Sequence, residues 1–499
     1  MSSPATPDST SSLSLSTTTR FLVLTVAAIG FLFDTYELLM LPVIARPALS
    51  ELLQIPANNP LIGKWLGLML WSAALSGGIF GLLGGYLVDR FGRKTVMIGS
   101  ILLYSFSPLA AAFSTTPLML LIFRCTTFIG ICVEFVAAIT WLAELFEDKR
   151  TRELAIGWTQ AFASVGGLLV TGANTLTVEY ALSLPAIPLP EPFNPHASWR
   201  YTLITGLIPG ALILVLMPFV PESRVWLERK RAGTLGRPRF GELFAPELIR
   251  TTLVTTALSA CAYAGAFGAL QLTPAQVVPG LPSVAEEQKT LLPLRKEATE
   301  LNLQLNKTEP GSPERAELLK KIAANRKEQI PYDQPITQKG NAAQLWQELG
   351  GLTGRVLLAI LVVMVASRRL LLRSFLIPGL IIFPLTYYYL FRQQPDLFTF
   401  GLFLCGLCTV AQFSYFGEYL PKAFPVHLRG TGGSFATNVG GRMIGTSASL
   451  LTTAVVAPLI PGNQFVQVAT AAAIVGTSVY LIALILSAFL PEPKGDGHS

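Results

Sequence analysis

At 499 residues the chain could make two or three soluble domains, but 51% of it is hydrophobic and only 13% is charged, against roughly 25% charged in a soluble domain. With a mean hydropathy of +0.52 there is too little polar surface to cover a globule in water, so lipid must solvate much of the outside. The net charge of +7 raises a nucleic-acid partner, which the distribution of the basic residues excludes.

Residues 1–19 are Ser/Thr-rich and lack Lys and Arg, the composition of a disordered cytoplasmic tail. Stretches apolar enough to cross a core of about 30 Å follow at 20–45, 64–88, 95–113, 117–145, 153–178, 200–220, 249–272, 350–366, 375–391, 397–418, 432–457 and 464–490. They are numbered spans 1 to 12 in that order. The first carries Asp34 and Glu37, which marks a retained helix rather than a cleaved signal. The linker 221–248 is polar and basic, and divides the spans into halves 20–220 and 249–490. Such a layout suits a transporter built from repeats, with its binding site between them.

Basic residues set the direction. Connections on the linker side hold Arg90, Arg93, Lys94, Lys149, Arg150, Arg152, Arg368, Arg369, Arg373, Lys422 and Arg429, whereas the short loops opposite hold only Arg46, Lys64, Arg200 and Arg392. The N-terminus, the linker and the tail 491–499 are therefore expected in the cytoplasm, the chain in the plasma membrane (the inner membrane of a bacterium). This asymmetry accounts for the net charge.

Residues 273–348 form a long, charged extracytoplasmic insertion between spans 7 and 8. Ser283 with Glu286 has capping-box spacing, which predicts a helix to about Lys307. Thr308–Pro313 breaks it, with Ser312 as cap and Pro313 at the first helical position, and a second helix runs to about Gln329. A helical hairpin shielding the mouth is expected.

The turn after span 2 reads Gly85-Tyr86-Leu87-Val88-Asp89-Arg90-Phe91-Gly92-Arg93-Lys94. It resembles the loop signature GxLaDrxGrk of the major facilitator superfamily. Four further runs are similar to family motifs: Arg124 to Gly130 on span 4; Glu144 with Arg150; Pro221-Glu222-Ser223-Arg224-Val225-Trp226-Leu227, with its Arg one place early; and Arg429-Gly430-Thr431-Gly432 with Asn438, Gly441 and Arg442. The likeness points to the sugar-porter and metabolite–proton symporter branches together. It implies an all-α fold of twelve membrane helices in two six-helix halves. It also implies a cytoplasmic latch at Gly85, Asp89, Arg90, Gly92 and Arg93, with Glu144, Arg150, Glu222 and Arg429 in the gate. Two places depart from the pattern. Lys422 stands where relatives have Glu, with Glu418 nearby, and Ser367-Arg368-Arg369 lacks the Asp and Gly of a second latch.

Ionisable groups inside spans are costly and mark function. Asp34 and Glu37 share one face of span 1, and Arg124 and Glu134 lie in span 4. Phe31-Leu32-Phe33-Asp34-Thr35 resembles the FGYDT of proton-coupled sugar porters, which implies that Asp34 pairs with Arg124 and carries a proton. Gln160 falls where sugar porters hold the sugar, but the second amide of that region is Gly167, and span 7 has only Gln271 near its end. Gln412, Tyr415 and Phe416 of span 10 and Asn438 of span 11 complete the candidate substrate wall. A sugar fits this set, as does an organic acid held by Arg124, Arg355 or Arg442.

The expected function is therefore proton-coupled uptake of a small polar solute by alternating access, the partners being that solute, protons and lipid, and the chain a monomer. A uniport facilitator, a drug–proton antiporter and a non-transporting sensor are the alternatives; span 5 lacks the proline motif of the antiporters. Cys125, Cys132, Cys261, Cys405 and Cys408 lie in apolar runs and read as packing residues. No metal, cofactor, P-loop or catalytic cluster is indicated.

Overall fold

In the computed structural model, the structure describes residues 17–146, 159, 162–232, 240–305, 307–309, 311–425 and 428–492. Among them there are only helices, turns and connecting segments, with no strand. Among the described residues, nine helices are long and apolar enough to cross a membrane by length and composition. Three more complete the twelve. Span 5 is described over Ala163–Tyr180, and span 6 is broken into Ser198–Thr205 and Ile208–Leu216. Span 11 begins as Arg429–Phe435 and continues through π and 3-10 turns to Leu459.

Side-chain caps and prolines together start three of the helices. Asn59, Thr116 and Ser312 each accept a backbone N–H two or three residues ahead, with Pro60, Pro117 and Pro313 at the first helical position. A proline there loses no hydrogen bond, because its amide would have been an orphan anyway. Gly92 ends span 2 at φ +97°, a backbone setting open to glycine, so span 3 begins at once at Arg93.

The halves meet where spans 2 and 11, 5 and 8, and 1 and 7 pack together. Small residues let the backbones approach. A Cβ on Gly67 would lie 2.9 Å from the Ser449 carbonyl, and Ser449 Oγ donates to the Gly67 carbonyl at 2.9 Å.

The hairpin differs from its expected form. Its first helix is Ala285–Leu305, but the second does not stop near Gln329; it runs unbroken as Pro313–Met364 and becomes span 8. Pro331 and Pro335 lie inside it. They are four residues apart, so both defects fall on one face. Burial of Ile336, Gly340, Ala343 and Gln347 against neighbouring helices offsets the roughly 3 kcal/mol that an interior proline costs. Span 7 is also longer than its apolar run, reaching Gly280.

Leu301, Leu305, Leu318 and Ile322 form the hairpin's own small core. The hairpin also grips the first half. Arg315 Nε lies 3.3 Å from Glu191, Arg326 donates to the Pro192 carbonyl, and Gln334 donates to the Val178 carbonyl at 3.0 Å.

Candidate functional site

The latch sequence folds into a network around one buried arginine. Arg93 is 2% exposed. It donates to Glu144 through Nε at 2.9 Å and Nη2 at 2.8 Å, and to the Val88 carbonyl at 3.0 Å. Asp89 lies 2.9 Å away, one turn earlier. Ser223 donates to Glu144 at 2.5 Å. Glu222 accepts from the Lys94 amide at 3.1 Å, a carboxylate at the positive end of span 3. Trp226 Nε1 donates to the Asp89 carbonyl at 2.6 Å, tying the linker helix Arg224–Ala232 to span 2.

Two members of the expected gate stand apart. Arg90 is exposed and stacks on Phe91 at 6.0 Å, while a Cβ on Gly85 would meet nothing within 4 Å, so Gly85 makes no close approach. Arg150 and Gln160 lie outside the described residues, as does the side chain of Arg429.

The expected Asp34–Arg124 pair is not formed. Arg124 is 5% exposed and donates instead to the carbonyls of Glu37 at 2.6 Å and Leu38 at 2.7 Å. Pro42 explains this. It stands four residues after Leu38 inside span 1 and has no N–H, so the Leu38 carbonyl is left without its helical donor. A guanidinium supplies two donors in a fixed fork, and Arg124 fills the gap, with its charge over the Phe128 ring at 4.7 Å.

The carboxylates of span 1 find other company. Asp34 faces Glu134 of span 4 and Arg442 of span 11, and Glu37 faces Arg124. Glu134 lies against Gly30, where a Cβ would come 2.5 Å from Oε1, and Glu37 lies against Gly206, at 2.4 Å in the same sense. Glu37 and Glu134 are 0% exposed; neither oxygen of Glu37 has a hydrogen-bond partner, and Glu134 shares a side-chain hydrogen bond with Asp34. The buried Tyr104 hydroxyl sits among the three acids, also without a partner. The cluster thus lies inside the first half, with Arg442 as its contact across the interface.

The substrate wall is only partly assembled. Asn438 accepts from Arg442 at 2.7 Å and presses on Gly81 of span 2, where a Cβ would come 2.6 Å from its Oδ1. Gln412 donates to the Cys408 carbonyl at 3.1 Å. Tyr415 stacks on Tyr419 at 5.5 Å and meets Phe416 edge-on at 5.4 Å; at 0% exposure it is a core residue of the second half.

One acidic residue escaped the sequence reading. Glu348 accepts from Gln344 at 2.8 Å, faces Arg355, and fills the space beside Gly167, where a Cβ would come 2.6 Å from its Oε2. The space beside a glycine of one half is thus filled by a carboxylate from the other. The signal is present in the sequence: Asn341, Gln344, Glu348 and Arg355 recur at helical spacing, on one helix that joins the insertion to span 8.

Residues 15–292 match the family model described as Major Facilitator Superfamily. A 4-hydroxybenzoate transporter of Pseudomonas putida is 33% identical over 198 residues, which is 39% of this chain and 38% of that protein. A niacin transporter of Acinetobacter baylyi is 26% identical over 210 residues, 42% of each. A sialic acid transporter of Escherichia coli is 25% identical over 205 residues, 41% and 44% of the two chains. The matches therefore span about two fifths of these relatives. Among solved structures, a D-xylose–proton symporter superposes with a TM-score of 0.62 at 19% identity, covering 95% of this chain and 99% of its own. The inward-open xylose transporter of E. coli gives 0.64 at 17%, covering 96% and 98%. At such identities the likeness is one of fold.

Proposed function

The chain belongs to the Major Facilitator Superfamily, and from that premise we propose that it is a proton-coupled symporter for a small organic anion, working by alternating access. One observation carries the coupling: Glu37 and Glu134 are wholly buried, Glu37 with no hydrogen-bond partner and Glu134 sharing one with Asp34, two carboxyl groups that can bond only if a proton lies between them. Such groups are expensive inside a membrane protein and are retained for function. A carboxylate beside a guanidinium stays ionised, and one moved into apolar surroundings takes up a proton. Asp34 is the acid of this cluster that faces the opposite half, through Arg442, so rocking of the halves changes its surroundings.

An anionic cargo is favoured by Arg124, Arg355 and Arg442 in the interior. The named substrates of two relatives, 4-hydroxybenzoate and niacin, are carboxylates. A sugar is disfavoured because Glu348 fills the space beside Gly167. The hairpin side is extracytoplasmic in this reading and closed here, with the Arg93 network as the latch on the cytoplasmic side. The protein would act as a monomer in the plasma membrane.

A facilitator is the second reading, favoured by one fact: Arg124 is engaged by backbone carbonyls rather than by Asp34. Uptake of labelled benzoate, nicotinate and xylose into proteoliposomes, with and without an inward proton gradient, separates the two. Gradient-driven accumulation of a carboxylate supports symport. Equilibration that ignores the gradient supports the facilitator, and accumulation of xylose alone rejects the anionic cargo.

A further inference from the structure

On the hairpin side, two arginines share one carboxylate oxygen. Arg295 of the first hairpin helix donates to Asp333 Oδ1, and Arg46 at the end of span 1 approaches the same atom through Nη1 at 3.5 Å. Arg46 is 5% exposed, yet its Nε and Nη2 have no hydrogen-bond partner. Arg295 is 7% exposed. Two buried cations around one anion leave a positive charge uncompensated, and buried charges ordinarily need pairing.

A water-sized void adjoins the pair. Arg46 lines a narrow cavity between spans 1, 7 and 8, together with Pro47, Pro274, Thr337, Gly340 and Asn341. Its walls come from both halves and from the root of the hairpin, so it widens when the halves part on this side. Arg46 belongs to the first half, while Arg295 and Asp333 belong to the insertion.

We propose that Arg46 and Arg295 form a binding site for a small carboxylate on the hairpin side, with Asp333 as its built-in occupant when the halves are closed. The incoming carboxylate takes the position of Asp333 on the two guanidinium forks, whose geometry suits a carboxylate. Displacing Asp333 releases the ion pair that joins span 1 to the hairpin, so capture of the anion and opening of this side are one event. The insertion thus supplies half of an entrance site that the twelve spans alone would lack. The inference rests on the reading of the cargo as an organic anion and is independent of proton coupling.

The test is equilibrium binding of benzoate to the purified full-length protein in neutral detergent at low salt, without a proton gradient, by microscale thermophoresis. Benzamide serves as the neutral isostere, and phosphate and chloride as competing inorganic anions. Wild type, Arg46→Gln and Asp333→Asn are compared. The expected result is selective binding of benzoate, weakened roughly tenfold or more in Arg46→Gln, which loses a charge-assisted pair. Asp333→Asn removes the internal competitor and should tighten binding by a comparable factor. Opposite signs in the two variants distinguish a site from a mere structural ion pair, whose loss would act in one direction. Benzoate binding of equal affinity in all three proteins overturns the entrance site and leaves the anionic cargo standing. Stronger competition by phosphate or chloride than by benzoate overturns the carboxylate assignment, and failure of wild type and Asp333→Asn alike to bind benzoate overturns both readings.

Discussion

Asn174 of span 5 and Asn341 of span 8 hold the halves together on the hairpin side, and their bonds give a worked prediction for the closure. Asn174 Nδ2 donates to Asn341 Oδ1 at 2.8 Å, and Asn341 Nδ2 donates to Thr175 Oγ1 at 3.1 Å. The amides are 2% and 3% exposed, out of reach of water. Asn174→Ala strands Asn341 Oδ1 in the closed state, at a cost of about 1–3 kcal/mol. In the open state water replaces the lost partner and the cost vanishes. Thr202, which donates to Asn174 at 2.9 Å, retains contacts with Thr177 and the Ser198 carbonyl and adds little. Since about 1.4 kcal/mol is a tenfold change, the closed-to-open ratio should fall roughly 5- to 150-fold. The assay is the rate at which Thr337→Cys, in the interfacial cavity, reacts with an impermeant maleimide after the five native cysteines are replaced by Ser. A rise of at least about fivefold in labelling rate is expected. An unchanged rate in a folded protein would refute the claim that these bonds set the closure.

Arg93→Ala leaves Glu144 and Asp89 without their shared cation and should destabilise the protein by about 3–5 kcal/mol, seen as a lower melting temperature in detergent; Arg90→Ala, at an exposed side chain, should stay within about 0.5 kcal/mol of wild type. Gly166→Ala would put a Cβ 2.0 Å from the Leu32 carbonyl, overpacking spans 1 and 5 at a cost of about 1–3 kcal/mol, whereas Gly85→Ala meets no atom and should melt as wild type does. At Glu492, slight burial raises the carboxyl pKa, but the Ser367 hydroxyl and the amides of Arg369 and Arg368 outweigh it and hold the group below its ordinary value. A depressed folded value means the contribution is present above the ordinary Glu range and is lost as pH falls through the lowered one. Glu492→Gln should therefore melt below wild type at neutral pH and converge with it in acid; a gap that widens on acidification would contradict the assignment.

The membrane helices were largely legible because hydropathy is a local property, and the tight turn at Gly92 because it needs glycine at one position. What was not legible depended on neighbours. The second hairpin helix, expected to end near Gln329, runs on to Met364 because packing on both sides carries it through Pro331 and Pro335. The partner of Arg124 depends on Pro42, which frees a backbone carbonyl, and a search for opposite charges passes over such an acceptor. Glu348 was hidden because its place is defined by the absence of a side chain at Gly167 on the other half. Tyr415 and Phe416 have the composition of a binding wall but the burial of a core, and periodicity cannot separate the two.

Proton coupling through the acids of spans 1 and 4 is tested most directly by comparing wild type with Asp34→Asn in two modes of carboxylate movement in proteoliposomes: accumulation driven by an inward proton gradient, and counterflow exchange without one. The prediction is that Asp34→Asn loses accumulation and keeps counterflow, since the halves can still rock around the bound anion but no proton is carried. Gradient-driven accumulation by Asp34→Asn at the wild-type level would contradict it and return Asp34 to a purely structural role beside Glu134 and Arg442.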